Sequence, residues 1–313
     1  MRKGAFAVAV LGVAAFVWSR SSNPHFPMQH DDMANKRVLV LGGTKGIGLG
    51  LAQHFASRGA SVAIVGRTDP QVPSLSFLKV CPTLFLRQFA HLSLSLKADL
   101  SLVKEGARVT RDYLSSGGID VLILSPGIAT FQGYTPTAEG LDTKMALHYY
   151  SRVASALEAA SALDASAGSC LFVLSGDIHS PYIPPEGESG LSEKDYSLKR
   201  AADAAGFFTD AAIQSLAKEH PRARFVHANP GFVASSWGTE LPGPIRWLAR
   251  GAQAAFARTT ETCANYMAIA LKGPPGAFIA TQNGEIKNFQ PELTEEVRNR
   301  LWADTIKTIK AHV

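Results

Sequence analysis

The chain has 313 residues, 46% of them hydrophobic and 18% charged. That balance excludes a disordered or coiled-coil protein and leaves chain for one large domain or two small ones. Thirty-one Lys and Arg against 26 Asp and Glu give a net charge of only +5; the basic residues are scattered, so charge gives no case for a nucleic-acid partner. Cys81, Cys170 and Cys263 lie far apart with no CxxC pair, which excludes a disulfide scaffold and a standard structural zinc site and suits a reduced intracellular protein.

Residues 1–20 read as a hydrophobic anchor or targeting segment, 21–35 as a polar linker and 36–313 as one globular domain. Arg2 and Lys3 precede an apolar run from Gly4 to Trp18. As a helix that run reaches about 22 Å, short of a roughly 30 Å hydrocarbon core. The readings that stay open are a thin membrane anchor with membrane contact through residues 4–18, a mitochondrial import sequence, and a cleaved signal or an unused extension. The expected location is membrane-associated, at the endoplasmic reticulum or the mitochondrion.

From Lys36 onward the pattern is strand, turn, helix, repeated. Arg37–Leu41 is a short apolar run of the kind buried on both faces of a parallel sheet. A glycine turn follows, then a helix through Leu51, Ala52 and Phe55 that ends near Gly59. Ser61–Val65 reads as the second strand, Leu92–Leu96 as the third, Asp120–Leu124 as the fourth, Cys170–Leu174 as the fifth, Arg224–His227 as the sixth and Gly276–Ala280 as the seventh. Helical patterns at Leu102–Leu114, Leu141–Ala162 and Tyr196–Glu219 separate most of them. Alternating βα units joined by right-handed crossovers predict an α/β fold with a doubly wound parallel sheet of Rossmann type. Residues 70–91, with three prolines, read only as a helix-and-loop excursion.

The first turn, Gly42-Gly-Thr44-Lys45-Gly46-Ile47-Gly48, leaves a strand and opens a helix. Missing side chains let the backbone approach a pyrophosphate, whose charge is met by free N–H groups and the helix dipole. The spacing is GxxxGxG rather than GxGxxG. The second strand ends in Gly66-Arg67, where an acidic residue would instead bind the ribose 2′-hydroxyl of NAD. Arginine there, with Lys45 close by, favours the extra phosphate of NADP. Asp99, followed by Leu100 just past the third strand, is placed to accept from an adenine amino group.

The GxxxGxG turn, Asp99, Asp120-Val-Leu-Ile, Tyr196 opening a long helix, and Asn229-Pro-Gly231 resemble the classical short-chain dehydrogenase/reductases over about Lys36 to Ala311. The gap before Tyr196, Thr260-Glu-Thr-Cys-Ala264 and Leu301-Trp302 are similar to the retinol dehydrogenase and WW-domain oxidoreductase-like branch. The resemblance implies an NADP(H)-dependent oxidoreductase acting on a small-molecule carbonyl or alcohol, with a small C-terminal substrate lid and pairing as a homodimer. It also implies that Gly127, Pro230, Gly231 and the Val233 backbone meet the nicotinamide end, and that Ser235 stands where a threonine touches the phosphates. Ser180–Gly187 and Trp237–Arg258 would wall a mostly apolar pocket.

The catalytic tetrad of that family is Asn, Ser, Tyr and Lys, the last two as YxxxK. Here Tyr196 fits the tyrosine, but Arg200 replaces the lysine and Lys199 falls three residues on. Arginine keeps the charge but is a planar, bulkier fork, so it would tune the phenol while holding the ribose less well. Ser175 aligns with the first serine of a pair and Gly176 with the second, catalytic one; a shift of one residue would bring Ser175 into use. His148 falls where the asparagine should be, as a proton relay or as a helix packing residue. Two functional readings follow: a reductase with Tyr196 as acid, and a nucleotide-binding pseudoenzyme that acts as a binding or assembly protein.

Overall fold

A computed structural model describes residues 33–68, 94–185, 190–235, 243–289 and 292–313. The anchor and nearly all of the linker, the 70–91 excursion and residues 237–242 of the lid segment lie outside the described residues. The chain builds strands β1 (Arg37–Leu41), β2 (Ser61–Gly66), β3 (Leu94–Lys97), β4 (Val121–Leu124), β5 (Ser169–Val173), β6 (Arg224–Ala228), β7 (Gly276–Ala280) and β8 (Ile286–Lys287). They form one sheet in the order β3-β2-β1-β4-β5-β6-β7-β8. Every pairing is parallel except β7 with β8. The strand β8, two residues long, carries too little pattern to be read from sequence.

Alternation along each strand sorts the core into two layers. Leu39, Leu41, Val65, Leu122, Leu124 and Phe172 point to one face, while Val38, Val40, Ile64, Ile123, Leu171 and Val226 point to the other. The second face is covered by α1 (Gly46–Ala56) and by the later helix Thr260–Ala270. The first is covered by α2 (Val103–Ser115), by the helix pair α3 (Thr143–Met145) and α4 (Ser151–Ser166), by α5 (Leu198–Glu219) and by the last helix, Glu295–Lys310. Gly243–Phe256 is α6, Thr260–Ala270 is α7 and Glu295–Lys310 is α8. Burial on both sides explains the near-continuous apolar strands.

Two helices differ from the sequence pattern. The stretch expected to be one helix over 141–162 starts at Thr143, capped by the buried Asp142 carboxylate on Lys144 N–H and Met145 N–H, and passes through a π-turn at Ala146–Tyr150 before α4 begins. The helix expected from Tyr196 begins only at Leu198. Ser197 is its N-cap, its hydroxyl accepting from Arg200 N–H, and Tyr196 sits in extended backbone after a 3₁₀ turn at Glu193–Asp195. Among the described residues no helix is long and apolar enough to cross a membrane.

Candidate active site

The loops after β1 and β2 meet because the two strands run parallel and in register, Leu41 beside Val65. Both Gly42 N–H and Gly43 N–H donate to Val65 C=O. Gly42 has φ +78°, and a Cβ there would lie 2.6 Å from Pro126 N; a Cβ on Gly48 would lie 2.3 Å from Gly42 O. The turn is therefore as close to the β4 end and to its own helix as a backbone can come. Thr44 packs against Gly66, where an added Cβ would be 2.5 Å from Thr44 Cγ2, so Lys45 and Arg67 leave neighbouring points of the sheet edge, both exposed. Lys45 is the N-cap of α1, with no side-chain cap and no acidic residue in the first turn. Ile47 is half-buried beneath the turn.

A cavity of about 380 Å³ opens at the start of α1, lined among others by Gly46, Gly50, Ser235, Arg250 and Thr260. Arg250 donates to Ser235 C=O at 2.9 Å. Gly231, at φ +72°, donates its N–H to Asn229 Oδ1 at 2.8 Å, and Cys263 Sγ lies 3.7 Å from Pro230 C=O. Val233 is buried, bridges to Arg258 and accepts from Ser235 N–H. On the adenine side Leu100 is buried, whereas Asp99 is exposed and its Oδ1 already accepts from Ser101 N–H at 3.1 Å and Ser101 Oγ at 2.8 Å. The glycine turn, Ser235 and the uncapped end of α1 thus converge on one space suited to a pyrophosphate.

The expected proton-transfer residues are not brought together. Among the described residues Tyr196 Oη is buried without a hydrogen-bond partner. Its ring meets Tyr134 edge-on at 5.6 Å, with Lys144 Nζ 5.4 Å from the ring centre. Burial and the Asp142 carboxylate push the phenol well above its ordinary range. Arg200 cannot oppose that: it is exposed and donates to Asp195 C=O at 2.8 Å, 3.7 Å from Asp195 Oδ1. Because the helix begins after Tyr196, the expected sharing of one helix face by Tyr196 and Arg200 does not occur. Lys199 is exposed on Asp203.

Ser175 Oγ is likewise buried and unpartnered, turned toward Gly206 of α5. Gly176 has no room for the serine that the alignment would restore, since a Cβ would lie 2.3 Å from His227 C=O. His148 Nε2 accepts from Ile128 N–H at 3.0 Å beneath the exposed Gly127. Burial, then Arg152, lowers His148 to about 3, so it is a neutral acceptor.

Sequence reasoning missed Arg152, which is 1% exposed and spans the ends of β4 and β5. Its guanidinium donates to Val173 C=O at 2.8 Å and to Pro126 C=O, and burial lowers it to about 9. Nothing local in the sequence marks it: α4 has a wet side at Glu158, Ser161 and Ala165, and only the fold places Arg152 on the buried side. Also missed were Asp142 and the trio His179, Asp210 and His227, whose ligand atoms lie within 4.8 Å of one another.

Comparison with known proteins bears on these arrangements. The short chain dehydrogenase family model matches residues 36–183. The NmrA-like family domain-containing oxidoreductase notO of Aspergillus sp. (strain MF297-2) is 28% identical over 72% of this chain and 70% of its own. A hydroxysteroid 11-beta-dehydrogenase 1-like protein of Gallus gallus is 30% identical over 54% of this chain and 56% of its own, so less than two thirds of that relative is spanned. Among solved structures, an alcohol dehydrogenase from the archaeon Thermococcus sibiricus complexed with 5-hydroxy-NADP superposes with a TM-score of 0.53 at 16% identity, over 81% of this chain and 99% of that one. At that identity the likeness is one of fold.

Proposed function

We propose that the chain is a short-chain dehydrogenase/reductase that carries out NADP(H)-dependent reduction of a carbonyl, or the reverse oxidation of an alcohol, on a hydrophobic small molecule; the family model over residues 36–183 supports that reading. The observation that carries the coenzyme choice is the exposed pair Lys45 and Arg67, set at adjacent ends of β1 and β2 with Thr44 packed on Gly66 between them. Two cations there suit a ribose 2′-phosphate better than a bare 2′-hydroxyl. The glycine turn and the uncapped α1 N-terminus fit the pyrophosphate, and Ser235 and Arg250 line the same cavity.

A bound nicotinamide coenzyme supplies the hydride. The chain's part is to hold it, to exclude water with α6, and to deliver or accept a proton at Tyr196 Oη. A phenol pushed upward stays protonated at neutral pH but is a weaker acid than an ordinary tyrosine, so donation requires the bound coenzyme or a cation to bring Tyr196 back down. The retinol dehydrogenase-like branch and a membrane anchor at Gly4–Trp18 belong to the same proposal. Fractionation of the full chain against one lacking residues 1–32 tests the anchor.

A second reading has its own observation. With Arg200 on Asp195 and Ser175 Oγ under α5, neither side chain hydrogen-bonds Tyr196 Oη, which favours a nucleotide-binding protein without turnover. Purified protein with NADPH and a panel of aldehydes, ketones and quinones separates the two. Turnover that is lost in Tyr196→Phe supports the reductase. NADPH binding with no oxidation across the panel supports the second reading.

A further inference from the structure

Three titratable side chains from three elements close around the main chain of one residue, Ser175, just past the end of β5. His227 on β6 is fully buried, and its Nδ1 lies 2.6 Å from Asp210 Oδ1 of α5. His179, in the loop after β5, places Nε2 3.1 Å from Asp210 Oδ2. The remaining nitrogens both go to Ser175: its N–H donates to His227 Nε2 at 3.1 Å, and its carbonyl meets His179 Nδ1 at 2.9 Å. The two rings stack with their centres 5.5 Å apart and are bridged by the two carboxylate oxygens.

The protons follow from these contacts. An amide N–H can only donate, so His227 Nε2 is an acceptor and its single proton sits on Nδ1, facing Asp210. A carbonyl can only accept, so His179 Nδ1 carries a proton. His179 Nε2 faces a carboxylate oxygen and carries a second. The arrangement is neutral His227, ionised Asp210 and charged His179. It also disfavours a metal ion in the same place, because a metal needs the His227 Nδ1 lone pair and would leave Nε2–H pointing at Ser175 N–H.

We propose that His179, Asp210 and His227 form a protonated clamp on the main-chain N–H and C=O of Ser175, making the two histidines positioning residues for the end of β5. When His179 loses a proton, one of its two bonds is lost and the turn Ser175–His179 is released. The directions agree: burial is the largest single influence on His179 and lowers it, but the hydrogen bond and charge of Asp210, with the Ser175 carbonyl and Asp203, together outweigh it and raise His179, while burial lowers His227 and the two histidines lower Asp210 despite its burial. The groups facing the trio are Asp203 of α5 toward His179 and Arg152 of α4 toward His227. Because His179 is raised on folding, its stabilisation is complete below the ordinary imidazole value and disappears as pH rises through the folded value.

The clamp does not depend on the coenzyme reading. Imidazole ¹⁵N NMR of the unaltered protein is the direct test. It is expected to show His179 doubly protonated past the ordinary imidazole range and His227 as the Nδ1–H tautomer. A His179 that titrates at or below the ordinary value, or an Nε2–H tautomer at His227, overturns the clamp. In parallel, the melting-temperature gap between wild type and His179→Gln is expected to shrink by more than half between about pH 6 and about pH 9. A gap that stays constant means packing alone and overturns it too. Stabilisation by added Zn²⁺ that is lost in His179→Gln would also overturn it, in favour of a metal centre. None of these readouts requires activity, so the clamp and the proposed function can fail separately.

Discussion

Gly176→Ser is the substitution that sequence alignment recommends and that the structure rejects. On the family pattern it restores the catalytic serine; in the fold, the new Cβ lies 2.3 Å from His227 C=O, 3.0 Å from His227 C and 3.2 Å from Ala228 C. All three are main-chain atoms of β6, held between β5 and β7, so no side chain can rotate away. Overpacking of this kind costs about 1–3 kcal/mol where neighbours can adjust, and a fixed strand puts it toward the upper end. In a domain of this size that lowers Tm on the order of 5 °C. Gly133→Ala, with nothing within 4 Å of the added Cβ, is the control and melts with wild type. Thermal and urea denaturation of the three proteins decide the matter. Equal stability of Gly176→Ser, or a gain of reductase activity in it, would refute the packing argument.

Other outcomes follow from the same geometry. Arg152→Lys keeps the charge but cannot span both Val173 C=O and Pro126 C=O, so at least one buried carbonyl loses its partner and urea stability falls by about 1–3 kcal/mol. His148 is held at about 3, below the unfolded chain's value. Its contribution is therefore present above pH 6.5 and lost as pH falls toward 3, at most about 1.4 kcal/mol per pH unit. In His148→Gln the acid limb of the stability curve becomes shallower by that component; an unchanged slope would show that His148 does not carry it.

The sheet was legible because strands buried on both faces are short apolar runs, and the first turn because only glycine permits its close approaches. The reaction centre was not. Tyr-Ser-Leu-Lys-Arg reads as the opening of a helix, yet Ser197 is a strong N-cap and starts that helix after the tyrosine. The two-residue delay leaves Arg200 on Asp195. The π-turn at Ala146–Tyr150 has no local sequence signature, and it is followed by Arg152 in a place where only tertiary contacts explain an arginine. His179, Asp210 and His227 are far apart in sequence and form no motif. A histidine within the apolar strand Arg224-Phe-Val-His227 nevertheless signals a buried group that must find a partner.

Calorimetric titration of NADPH and NADH into wild type and into Lys45→Ala/Arg67→Ala tests the coenzyme assignment most directly. The expected result is tighter NADPH binding to wild type, an advantage that salt weakens, and a loss on the order of tenfold or more, about 1.4 kcal/mol, in the double variant with NADH little changed. Equal or tighter binding of NADH to wild type, or NADPH affinity untouched by removing both cations, would contradict it.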